Sequence, residues 1–234
     1  RGLQCPGPIL KMKKTMDSLV SGDRVEITST DPGFPRDAAA WCNSTGNQLI
    51  SKETAGGKSI VVIEKGEPKS CNIVTSCEGK GKTFIMFSDD LDKALATFVL
   101  ANGAAATGQK VTIFFTFWGL NVIKKLHKPN VEKDIFGKMF GMMLPSSSRK
   151  LKLSKMSMGG IGGKMMRYIM NRKGIDSLES LRQQALENGV EFIACQMSMD
   201  VMGVKQEELL DEVTIGGVAT YMERADNANI NLFI

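Results

Sequence analysis

Apolar residues in the first third of the chain recur at two alternating periods. Ile9, Met12, Met16 and Leu19 are spaced for one face of a helix, which predicts an amphipathic helix over residues 6–20. A strand at 24–30, a helix over 35–46 and two strands near 48–53 and 59–64 follow. The last of these is marked by the run Ser59-Ile60-Val61-Val62-Ile63. Asp31-Pro32-Gly33 reads as a turn and Gly56-Gly57 as the tip of a hairpin. Gly66, Pro68, Ser70, Gly79 and Gly81 then replace large apolar residues. This change predicts a first unit over 1–65, a linker over 66–82 and a second unit over 83–234.

The second unit opens on a short run that reads as a buried strand, Thr83-Phe84-Ile85-Met86-Phe87, closed by Ser88-Asp89-Asp90. Leu91, Leu95, Phe98, Val99 and Ala106 place a helix next. Further strands are expected at 110–117, 190–195 and 229–234, with helices over 178–188 and 217–225. Strands alternating with helices predict a mostly parallel sheet covered on both faces, a three-layer α/β/α arrangement. The first unit, with two helices and three strands, predicts a two-layer α/β sandwich. In parallel sheets reactive groups gather beyond the carboxyl ends of the strands. Cys195 lies at such an end, ahead of a segment read as a loop over 196–203.

Composition narrows the class. A chain of 234 residues has material for a proper core in one or two units. The longest apolar stretch, 111–123, is interrupted by Thr112, Thr116 and Asn121 and is short for a bilayer span. No signal peptide is visible, so the cytoplasm is the expected location. Five scattered cysteines and the single His127 fit neither a disulfide scaffold nor a zinc site. Gly159-Gly160-Ile161-Gly162-Gly163 lacks the ending of a phosphate loop, because Gly163-Lys164 is followed by Met165, and it reads as a hinge. The expectation is therefore a protein with no resident cofactor or metal.

The net charge of +5 is unevenly spread. Fourteen Lys or Arg stand against two acids between Lys110 and Lys173, and three against eleven from Gly174 onward. Eleven of the fifteen methionines fall between Met139 and Met202. Met165, Met166 and Met170, with Ile161 and Ile169, make an adaptable apolar face interrupted by Lys164, Arg167 and Arg172. Three uses fit it, in order of preference: a flexible oligomer interface, a surface for anionic lipid and a thioether metal site. RNA is a rival partner for the basic region, but aromatic interleaving is lacking. DNA is not expected.

The cysteines carry the candidate chemistry. Cys5-Pro6-Gly7-Pro8 stands at a helix start, where unpaired N–H groups and the helix dipole stabilise a thiolate. Lys11, Lys13 and Lys14 add positive charge, and no histidine is nearby to act as a base. Such a sulfur suits carrying a group better than hydrolysing one. Cys42, beside Trp41, reads as packing. Cys71 and Cys77 read as ordinary thiols, with a labile dithiol redox pair as the rival.

These residues also carry resemblances. Gly2-Leu3-Gln4-Cys5-Pro6-Gly7-Pro8-Ile9, Lys11, Lys13-Lys14 and Leu19 resemble the start of the TusA sulfur-carrier family, with its Cys-Pro-x-Pro signature. The likeness continues through Asp31-Pro32-Gly33-Phe34, Asp37, Trp41 and Thr45-Gly46-Asn47 to Ile63. It implies that Cys5 accepts sulfane sulfur as a persulfide and passes it to a partner. The chain opens at Arg1, so most of that family's first strand is absent, which suggests excision from a longer polypeptide. Residues 83–234 resemble the DsrE/DsrF-like family through Phe87-Ser88, Asp90 to Ala94, Thr116 to Leu120, Met139-Phe140-Gly141, Ala194 to Gly203 and Gly216 to Ala219. This implies that Cys195 binds sulfur and that the unit forms homo-oligomers. Asp89 departs from the expected glycine and would set a carboxylate where an anionic sulfur species approaches. Together the resemblances imply a sulfur carrier with transferase character, relaying sulfur between Cys5 and Cys195. Its donor would be a protein such as a rhodanese or a cysteine desulfurase, and a downstream protein would accept the sulfur.

Overall fold

The computed structural model describes residues 7–31, 34–67, 81–127, 129, 131, 139, 141 and 143–234. The first sheet is antiparallel, in the order β1-β3-β2, from β1 (Arg24–Ser29), β2 (Gln48–Ala55) and β3 (Lys58–Glu64). Gly56 and Gly57 join β2 to β3 with φ of 58° and 71°, values that a two-residue hairpin of this hand requires. Ser59, Val61 and Ile63 alternate inward along β3. They meet α1 (Gly7–Asp17) through Ile9, Met12 and Met16, and α2 (Phe34–Thr45) through Phe34, Ala38, Trp41 and Cys42. Both helices therefore cover one sheet face, giving the two-layer sandwich.

The second sheet is parallel and five-stranded, in the order β7-β6-β5-β4-β8. Its strands are β4 (Gly81–Met86), β5 (Val111–Phe115), β6 (Glu191–Cys195), β7 (Thr214–Gly216) and β8 (Ala228–Phe233). Phe84, Met86, Ile113, Phe115, Phe192 and Ala194 face one core beneath α3 (Leu91–Ala106) and α5 (Leu178–Glu187). Ring pairs Phe98–Phe115 and Phe98–Phe192 fill the space between α3 and the strands, with centroids 6.4 and 5.7 Å apart. Ile85, Phe114, Ile193 and Cys195 face the other side, under α7 (Val218–Asp226). Three layers result, with the second face covered by this one helix among the described residues.

Three stretches differ from the pattern reading. The segment after Cys195 is α6 (Gln196–Met202), ended by Gly203 at φ 60°, and not a loop. Its pitch is hidden in the sequence because Met197 and Val201 point to solvent while Ser198, Met199 and Met202 are buried. The glycine-rich run is no simple hinge: Gly159 and Gly160 form the turn into α4 (Ile161–Arg172), whose first turn holds Gly162 and Gly163. β7, three residues long, was too short to show a period.

The two units meet at the amino ends of the parallel strands. Ala106, the last residue of α3, is buried in the first unit's core. A cavity of about 430 Å³ runs beside this contact, with Gly7, Lys11 and Lys14 on one wall and Asp176, Glu187 and Asn188 on the other. Its walls carry opposite charge.

Candidate functional site

Cys195 ends β6 and serves as the N-cap residue of α6. It is a free thiol, 6% exposed, clustered with Phe114, Ile193 and Tyr221. Alternation along a strand explains the placement: Phe192 and Ala194 serve the large core, so Ile193 and Cys195 must face α7. The first-turn N–H groups of a helix lack helical acceptors, and the positive end of its dipole lies there. The hydroxyls of Thr116 and Ser198 are hydrogen-bonded at 2.8 Å, tying the end of β5 to α6.

The neighbouring strand is shaped to fit. Gly216 in β7 is in register with Cys195. A Cβ at Gly216 would stand 2.8 Å from Ile193 Cγ2 and 3.2 Å from Thr220 Cβ, so only glycine lets β7 and α7 close beside the thiol. α7 is further held by Arg224, whose Nε and Nη2 donate to Glu191 at 2.9 and 3.2 Å. Glu191 also accepts from Thr112 Oγ1 at 2.9 Å, and these donors hold its carboxyl below its ordinary range. Met197 and Val201 on α6, Val218 on α7 and Trp118 in the 3₁₀ segment Phe117–Ile123 are exposed on elements that border Cys195. Exposed apolar side chains therefore stand near the thiol, beside the exposed pair in which Gln196 Nε2 donates to Asp200 Oδ1 at 2.9 Å. Thr116 to Leu120, Ala194 to Gly203 and Gly216 to Ala219 carried the resemblance in the sequence, but Glu191, Thr112 and Arg224 gave no signal there.

The other sequence candidates fall as follows. Cys5, Cys71 and Cys77 lie outside the described residues. Cys42 is buried in the first unit's core, where burial pushes its thiol up to about 11. His127 is exposed. Asp89 does not stand as a bare carboxylate: Asn121 Nδ2 donates to its Oδ2 at 2.9 Å, and burial pushes the group up. Gly119 fits beneath this loop because a Cβ there would lie 1.9 Å from the Met86 oxygen. Among the described residues no group of three or more His, Cys, Asp or Glu could hold a metal ion. No described helix is long and apolar enough to cross a membrane.

The structure does not bring the mount of Cys5 to Cys195. Gly7, two residues beyond Cys5, shares its cavity with Asn188, which precedes β6. Cys195 stands at the far end of that strand, roughly 13 Å on at about 3.3 Å per residue.

Comparison with known proteins matches residues 1–65 to the family described as sulfurtransferase TusA and residues 79–233 to the DsrE/DsrF/DrsH-like family. YrkE of Bacillus subtilis is 44% identical over 155 residues, which are 66% of this chain and 97% of that protein. Sulfur carrier protein DsrE2 of Allochromatium vinosum is 38% identical over 161 residues, covering 67% of this chain and 99% of its own. Sulfur carrier protein TusA of the same organism is 42% identical over 64 residues, 27% of this chain and 84% of that one.

Proposed function

The chain belongs to the DsrE/DsrF/DrsH-like family, with a TusA-family unit ahead of that domain, and we propose that it carries sulfane sulfur as a cysteine persulfide, relayed between Cys5 and Cys195. The coarser role, sulfur trafficking, follows from both families. The observation that carries the finer one is the setting of Cys195: a free thiol at a helix N-cap and a strand carboxyl end, with Met197 and Val201 exposed on the helix that it caps. Such a surface suits docking of a protein that delivers sulfur.

The exchange is isoelectronic. The Cys195 thiolate attacks the outer sulfur of Cys5–S–SH. A new S–S bond forms at Cys195, the old one breaks, and Cys5 leaves as a thiolate. The proton stays on the transferred sulfur, so no oxidant or reductant is consumed. Because the Cys5 mount rests at the amino ends of the strands, the step within one molecule needs the first unit to leave that seat. Otherwise a second molecule supplies the partner cysteine.

A donor such as a rhodanese or a cysteine desulfurase, and a downstream acceptor protein, complete the reading. A homo-oligomer fits it too. β8 is an edge strand with Ile230, Leu232 and Phe233 exposed, and Met222 is exposed on α7 on the thinly covered face.

The test is intact mass after exposure to a sulfane-sulfur donor, for the protein and its Cys5→Ser and Cys195→Ser variants. A gain of sulfur lost with Cys5 and redistributed without Cys195 is expected. A folded protein that gains sulfur on neither cysteine overturns the proposal.

A further inference from the structure

α4 is amphipathic in the wrong sense for a core helix. Ile161, Met165, Tyr168 and Ile169, spaced i, i+4, i+7 and i+8, form one apolar stripe, and all four are exposed, Ile161 at 65% and Tyr168 at 66%. The inward side is built from Gly162, Gly163 and Met170. A Cβ at Gly162 would meet the Met156 oxygen at 2.0 Å, so glycine lets the helix backbone press against the chain below it. Arg167 fixes the orientation by donating to the main-chain oxygens of Leu151 and Ser148 at 3.3 and 3.1 Å. The apolar stripe is thus held outward by a built contact.

The approach to the helix continues the stripe. Met156 and Met158 are exposed and adopt φ of 58° and 43°, a left-handed backbone that disfavours side chains other than glycine. Along the sequence through these residues the charge has one sign, while in space Asp92 accepts from Ser154 and Glu179 lies near Arg167. Between Asp134 and Asp176 the chain has nine Lys or Arg and no acid. Lys155, Lys164, Arg172 and Lys173 are exposed among them. A second copy seated face to face would bring Lys164 and Arg172 of both chains together, so like charge opposes self-association there. Anionic lipid offers both complements at once: headgroups for the cations and an acyl boundary for the stripe.

We propose that α4 and the Met156–Met158 approach form a peripheral docking surface for anionic membrane, on which the protein lies without spanning it. This surface is independent of the sulfur chemistry at Cys195.

Flotation of the full chain with lipid vesicles tests it. The protein should rise with phosphatidylcholine–phosphatidylglycerol vesicles and stay behind with phosphatidylcholine alone. Ile161→Asp combined with Met165→Asp changes solvent-facing positions only, so its circular dichroism and melting should match the parent. Its partitioning onto anionic vesicles should fall by about tenfold or more. Lys164→Glu should weaken binding by several-fold, about what one basic residue contributes near an anionic surface. The proposal is overturned if the parent ignores anionic vesicles, or if the double variant floats as well as the parent. A concentration-dependent dimer that the double variant abolishes, without vesicle binding, would instead assign the stripe to a second copy.

Discussion

The indole N–H of Trp41 in α2 donates to the main-chain oxygen of Ala106, sixty-five positions along the chain at the end of α3. This one bond joins the core of the first unit to the amino edge of the parallel sheet. Both groups are buried, so the oxygen of Ala106 has no ready substitute in water.

Trp41→Phe keeps most of the ring and removes only the donor. It should cost about 1–3 kcal/mol, the usual range for stranding a buried acceptor. In urea unfolding, the midpoint should drop while the far-ultraviolet spectrum is unchanged. An unaltered midpoint would mean that the two units are not coupled through this bond.

Gly216→Ala places a methyl 2.8 Å from Ile193 Cγ2, a separation that requires β7 to shift away from β6. The expected loss is about 1–3 kcal/mol, typical of overpacking. Because Cys195 is in register with Gly216, its alkylation rate should change as well. A rate and melting temperature equal to the parent's would refute the packing argument.

The thiols should separate by reactivity. Burial holds Cys42 up to about 11, so at pH 8 it remains protonated and unlabelled by iodoacetamide in the native protein. The same shift has a stability consequence. A group whose folded value is raised above its ordinary 9.0 contributes stability that is complete below that pH and is lost as pH rises towards about 11. Cys42→Ala should therefore flatten the alkaline limb of the melting curve. Equal labelling of Cys42 and an exposed thiol at pH 8 would contradict this.

Glu191 behaves in the opposite sense. Arg224 and Thr112 hold its carboxyl below the ordinary 4.5, so its contribution is present above that pH and fades as the solution is acidified through the lowered value. Arg224→Met should melt below the parent at neutral pH, and the gap should close in acid. A gap constant with pH would show that Arg224 acts by packing alone.

Much of this architecture is written locally. The i, i+3, i+7 spacing of Ile9, Met12 and Met16 determines α1, and the alternation through Ser59, Val61 and Ile63 determines β3, because each period leaves one face to bury. The βα alternation in the second unit likewise determines a parallel sheet, and Cys195 at a strand end was legible as a candidate. Tertiary structure alone decided the rest. Gly216 matters because a strand distant in sequence brings Ile193 against it, and no local pattern encodes that approach. Which apolar stripe of α4 faces water depended on where Gly162 could touch Met156, so Ile161, Met165 and Ile169 stay exposed while Met166 and Met170, read on the same face, turn inward. The seating of Trp41 on Ala106, which sets the Cys5 mount and Cys195 at opposite ends of β6, rests on packing between units, and packing has no period in a sequence.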